Sequence, residues 1–205
     1  MSLTPQALLA ELDSALPQAA ESWRSTVLRR ITDLFLSGAD FYNDQHVALF
    51  DAVMSRLLPG LDRDDLAELG NRLAGIANAP LNVLASLARH LDILVCGPVL
   101  EQAQALPDRV LTEAADRDRV DPNILAKIAA RPQLNEAVTD VLLKRGSPPL
   151  QRKLINNRDA RISEGGFARV IMGLDGDKDL AQAIAARDDL PAELRPWLKD
   201  ILSES

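Results

Sequence analysis

Cysteine occurs once, at Cys96, in a chain of 205 residues, so no intramolecular disulfide can form and nothing argues for an oxidising compartment. A reduced, cytoplasmic setting is the expectation. Aromatic residues make up only 3% of the chain, and 10 Gly with 12 Pro is far below what collagen-like or low-complexity chains carry. No apolar run approaches the roughly 18 residues of a membrane span. Met1-Ser2-Leu3-Thr4-Pro5 lacks the basic start and apolar stretch of a secretory signal. No membrane association is expected.

What the chain does have is 47% apolar residues, mostly Leu, Ala, Ile and Val, of which the first two favour helices. Apolar positions recur at helical steps. Ala20, Trp23, Val27, Ile31 and Leu34 form one stripe, Val47, Phe50, Val53, Met54, Leu57 and Leu58 a second, and Leu66, Leu69, Leu73 and Ile76 a third. Helix starts are marked at Thr4-Pro5, Asp121-Pro122 and Ser147-Pro148, where a capping side chain precedes a proline whose missing N–H costs nothing. Asp62 with Asp65 resembles a capping box. Gly60, Gly97, Gly146 and Gly173 sit where helix stops are expected. Period-two alternation never persists, so the predicted fold class is all-α.

Self-similarity turns the reading from a bundle to an array. Ile128-Ala129-Ala130-Arg131 recurs as Ile184-Ala185-Ala186-Arg187, and at the same offset of 56 Leu134, Val141 and Leu142 match Leu190, Trp197 and Leu198. Leu84-Ala85-Ser86-Leu87-Ala88 aligns with Leu125-Ala126-Lys127-Ile128-Ala129 at 41, and Leu154 falls between at 26 and 30. An interval of about 28 residues is the size of one antiparallel helical hairpin, which covers its apolar face only by stacking on its neighbours. The expectation is a helical-repeat region over 81–205, continuous with an N-terminal helical bundle or cap over 1–80.

Ile31-Thr32-Asp33-Leu34-Phe35, Leu73-Ala74 with Asn78-Ala79-Pro80, Leu87-Ala88 with Pro98-Val99-Leu100, Ile128-Ala129-Ala130-Arg131, the Leu154 to Ile162 stretch with Asn157 and Ala160, and Arg187-Asp188-Asp189-Leu190-Pro191 follow in an order that resembles the bacterial family called domain of unknown function 2336. The resemblance runs from about residue 24 to residue 194. It implies HEAT-like antiparallel hairpin repeats forming a short curved solenoid. It implies no reaction, cofactor or catalytic residue.

The motifs of chemistry are sparse. His46 and His90 have no partner at ligand spacing, and zinc needs three or four clustered ligands. Cys96 lies among Ile93, Leu94, Val95, Val99 and Leu100, which favours a buried, inert thiol over one activated at a helix N-terminus. Asp175, Asp177 and Asp179 alternate as in a calcium loop, but Leu180 and Ala186 stand where the glycine and the bidentate Glu belong; these aspartates are read as a turn and a helix start. Nucleophile-elbow, phosphate-loop and dinucleotide signatures are missing. No enzyme activity, metal or cofactor is expected.

Charge is patterned. Lys144, Arg145, Arg152, Lys153, Arg158, Arg161 and Arg169 face only Asp159 and Glu164 within one segment, in a chain of net charge −7. Such a strip either binds an acidic protein surface or pairs with acidic neighbouring repeats. The candidate partner-binding residues are Lys144, Arg145, Arg152, Lys153, Arg158, Arg161 and Asn157, and the expected function is a non-enzymatic protein-binding scaffold or adaptor. The alternative is a nucleic-acid-binding or nucleic-acid-processing protein on a HEAT-like frame, with Asp159 or Glu164 as its carboxylate. The acidic bulk and the scarcity of aromatics near the strip disfavour nucleic acid.

Overall fold

A computed structural model describes residues 20–203 together with Ala10, Asp13, Ser14 and Leu16. The expected start at Thr4-Pro5 lies outside the described residues. Those described form twelve α-helices and two short 3-10 turns, with no strand longer than an isolated bridge. The chain is all-helical, and its contacts divide it into two compact units, residues 1–106 and 107–205.

In the first unit α1 (Glu21–Gly38), α2 (Asp44–Leu57), α3 (Arg63–Leu73), α4 (Leu81–Ala88) and α5 (Ile93–Gln102) enclose Phe35, Met54, Leu57, Leu73, Leu84, Leu87 and Leu100, all fully buried. Helix α5 packs on α3 and α4, and α4 on α2. The α3–α5 approach is close because residue 70 is glycine: a Cβ there would stand 3.0 Å from the Val95 carbonyl oxygen. The Asp62 cap forms, its side chain accepting from the Asp65 N–H at 2.8 Å, whereas the Asp65 carboxylate turns to Arg29 at 2.8 Å.

Two local expectations are corrected. Gly97 does not stop a helix: Gly97 and Pro98 lie inside α5, whose first turn holds Cys96. Proline removes only the bond to the carbonyl of residue 94, which belongs to a half-exposed residue and so has access to water. The buried face of α1 is also rotated from the predicted stripe. Leu28, Thr32 and Phe35 are buried, while Trp23 and Leu34 are exposed. Thr32 is accommodated because its hydroxyl donates to the Leu28 carbonyl at 2.8 Å, leaving only its methyl to pack.

A buried carboxylate organises the end of α4, which starts after Pro80 with no side-chain cap of its own. Asp51, 7% exposed on α2, accepts from the N–H groups of Asn82 and Val83 at 3.0 Å each and from the Asn82 amide at 2.8 Å. A remote residue thus supplies the capping acceptor that free helix N–H groups require.

The second unit alternates its helices. Helix α6 (Asp108–Ala115) packs on α8 (Glu136–Arg145), and α8 on α10 (Glu164–Met172). Helix α7 (Pro122–Ile128) pairs with α6, α9 (Pro148–Asn156) with α8, and α11 (Lys178–Ala185) with both α9 and α12 (Arg195–Ser203). Ile128, Leu154 and Ile184 occupy the same place, at or near the end of α7, α9 and α11, each with no exposed surface. Asp177 is the N-cap of α11, as read for that acidic turn.

Candidate functional site

The repeating position three residues beyond each of those buried apolar residues is polar: Arg131, Asn157 and Arg187. Each sits just past a helix end, where unpaired carbonyls need donors. The Asn157 amide donates to the Arg131 carbonyl at 3.0 Å. Arg187, 2% exposed, donates to the carbonyls of Ile155 at 2.9 Å, Asn157 at 2.7 Å and Ala160 at 2.7 Å. Its remaining N–H groups make a two-point contact with Asp189 at 2.8 Å, and its guanidinium carbon stands 5.7 Å from the Phe167 ring centre. Every one of these bonds to a carbonyl spans 26–32 residues of chain.

Beside these helix ends the connections run extended and side by side. Leu134 and Ala160 form a parallel bridge, the Arg161 N–H donating to the Leu134 carbonyl at 2.8 Å. Asp189 takes up the next place by accepting from the Ile162 N–H. Partial burial pushes the Asp189 carboxyl up, but its hydrogen bonds and the Arg187 charge prevail and hold it below the ordinary value. Burial lowers the Arg131 guanidinium pKa, with the Asp108 charge opposing.

These three ledges line an open groove of about 770 Å³. Glu136 stands at the first level, Arg158, Asp159 and Arg161 at the second, and Asp188 at the third, over a floor that includes Ile162. Exposed Arg158 donates once, to the Ala186 carbonyl at 2.7 Å. Arg161, Glu136 and Asp188 are exposed and have no side-chain hydrogen bond or ion pair among the described residues.

The basic segment is therefore not one continuous surface. Arg145 pairs with Asp116 at 2.7 Å and donates to the carbonyls of Asp116 and Arg117. Arg152 pairs with Asp177, Lys153 donates to the Ala126 carbonyl at 3.3 Å, and Asn157 is engaged as above. Lys144 lines a separate recess of about 250 Å³ with Asp116, Asp140 and Arg169. Of the seven residues named from sequence, the groove brings together Arg158 and Arg161.

The groove also holds Asp159, one of the two carboxylates the nucleic-acid alternative names, whereas Glu136, Asp188 and Arg187 carry no sequence signal of a site beyond the recurrence of Arg131 at Arg187. Charge counting along the chain misses walls that come from separate connections. Among the described residues no three metal-ligating side chains cluster. Asn43 caps α2 by accepting from the His46 N–H at 3.0 Å, and the His90 ring nitrogen accepts from the Asp92 N–H at 3.0 Å. Cys96 is fully buried.

Residues 95–205 match the family model described as an uncharacterised protein conserved in bacteria, domain of unknown function 2336, and the chain belongs to that family. No curated protein and no solved structure matches.

Proposed function

We propose that this member of the family is a cytoplasmic, non-enzymatic scaffold whose residues 107–205 stack as HEAT-like hairpins and bind a protein partner through the groove beside their helix ends. The alternation of α6, α8 and α10 with α7, α9 and α11, and the donors that recur at Asn157 and Arg187, support the stacked reading. In such an array each hairpin contacts its neighbours and the connections line up along an edge, which is where repeat proteins can vary side chains without disturbing the stack.

The carrying observation is the presentation of Arg161 on an open groove without an internal side-chain partner among the described residues, beside Arg158, which spends one N–H on the Ala186 carbonyl and lines the same groove, while Arg145 and Arg152 are paired with Asp116 and Asp177. An exposed guanidinium without an internal partner is available for a two-point contact with a carboxylate. The partner's contact is accordingly a carboxylate-bearing surface. Phosphate backbones are a poorer fit, because Glu136, Asp159 and Asp188 line the same groove and repel a uniform line of negative charge.

Affinity capture from the native cell with wild-type protein and the Arg161→Glu variant tests this reading. At least a fivefold loss of a recovered protein, at unchanged helicity, is expected. Equal recovery with both proteins removes the groove as the binding face, and salt-sensitive DNA retention at roughly 50 mM salt, where phosphate contacts are strong, would favour the nucleic-acid alternative.

A further inference from the structure

The groove differs from a basic patch in the order of its charges. Bridge and hydrogen bonds set three chain segments side by side: the start of α8, the extended stretch before α10, and the turn after α11. Their exposed side chains include Glu136 at the first level, Arg158 and Arg161 at the second, and Asp188 at the third. Arg187 and Asp189 line the groove too, but they neutralise each other. The second level also carries Asp159, next to Arg158, so the central band holds two guanidinium groups and one carboxylate. Across the ledges the sign runs negative, net positive, negative.

We propose that the groove holds an extended polypeptide segment in which one acidic side chain is flanked on the same face by basic side chains, the acid meeting Arg158 and Arg161 and the bases meeting Glu136 and Asp188. This rests on the scaffold reading above and specifies its partner. An extended chain puts every second side chain on one face, about 6.6–6.8 Å apart, so a basic–acidic–basic order at alternate positions presents three charges to three levels. The rim groups of both signs penalise a segment with the reverse order. A uniformly acidic segment satisfies the arginines but leaves the flanking carboxylates facing like charge.

The test uses the full chain and fluorescein-labelled, end-blocked pentapeptides, read by anisotropy at low and moderate salt. Lys-Ser-Glu-Ser-Lys is the matched probe. Lys-Ser-Lys-Ser-Glu has the same composition and net charge in a different order, and Gln-Ser-Glu-Ser-Gln keeps the acid without the flanking bases. The matched probe is expected to bind at least fivefold more tightly than either, and Arg161→Gln and Asp188→Asn should each erase most of that difference. Both substituted side chains are exposed, so the fold is retained. Equal affinity for the two isomeric probes, or no saturable binding of the matched probe, overturns the proposed order. Equal affinity for the matched and the Gln-flanked probes also overturns it while leaving the acidic-partner reading intact; that reading is judged by capture with Arg161→Glu.

Discussion

Replacing Arg187 by Met keeps most of the side-chain volume and removes a cation from between two hairpins. The guanidinium is 2% exposed and donates to three carbonyls of the preceding hairpin. A hydrogen bond with one charged partner contributes about 1.5–3 kcal/mol, but bonds sharing one group do not add. Asp189, with its side chain 42% exposed, rehydrates when the cation is lost, so the penalty falls mainly on the stranded carbonyls. A buried acceptor left without its donor costs about 1–3 kcal/mol, and with three carbonyls stranded together and less than additive the expectation is about 3–5 kcal/mol. In a unit near 100 residues each kcal/mol lowers Tm by about 4–8 °C, so calorimetry should show a drop of at least about 12 °C in the transition that contains residues 107–205. Arg187→Lys retains the charge but not the fork and should lie between the two. A loss below about 1 kcal/mol for Arg187→Met, measured by urea unfolding with an unchanged slope, would refute the view that this residue ties the hairpins.

The lowered Asp189 pKa makes the same contact pH-dependent. A carboxyl whose folded pKa lies below its unfolded value of about 3.9 adds stability that is present above that value and lost as pH falls through the folded pKa. Urea midpoints measured from pH 6 down to pH 3 should therefore fall less steeply for Asp189→Asn than for wild type. In the first unit, Asp51→Ala should cost about 2–3 kcal/mol in urea unfolding, more than an ordinary helix cap, because it strands two N–H groups at the start of α4 and a buried donor without an acceptor is itself costly. Asp51→Asn should recover only part, since its amide presents donors where two acceptor oxygens are needed.

Much of the architecture was legible because helices declare themselves locally. The Asp62, Asp121 and Asp177 side chains each accept a backbone N–H at the start of a helix, and the Ile128–Ile184 correspondence holds in burial and position. The failures came where a distant contact overrode a local signal. Gly97-Pro98 reads as a stop, yet α5 continues because its first turn borders water and its other face is locked against α3. On α1 the alignment of Trp23 with Leu34 is a true helical stripe, but the adjacent face containing Phe35 meets the aromatic cluster with Phe50 at 5.2 Å and Tyr42 at 6.0 Å. Periodicity identified the helix; only its neighbours determined which face was covered.

The candidate site was harder to read for a related reason. A run of cations along the sequence does not distinguish those that close the stack from those that face outward. Arg145, Arg152 and Lys153 find acceptors 25–29 residues away, so their side chains satisfy carbonyls and carboxylates of other elements. Arg161 has no such acceptor among the described residues and stands beside carboxylates contributed by other connections. Chain separation sorts these cations only together with exposure: buried Arg187 spends its donors on acceptors 27–32 residues away or on Asp189, whereas exposed Arg158 spends one N–H on the Ala186 carbonyl, 28 residues away, and still lines the groove. Arg187 is thus a buried tie between segments 27–32 residues apart, and Arg161 an exposed guanidinium with no such tie among the described residues.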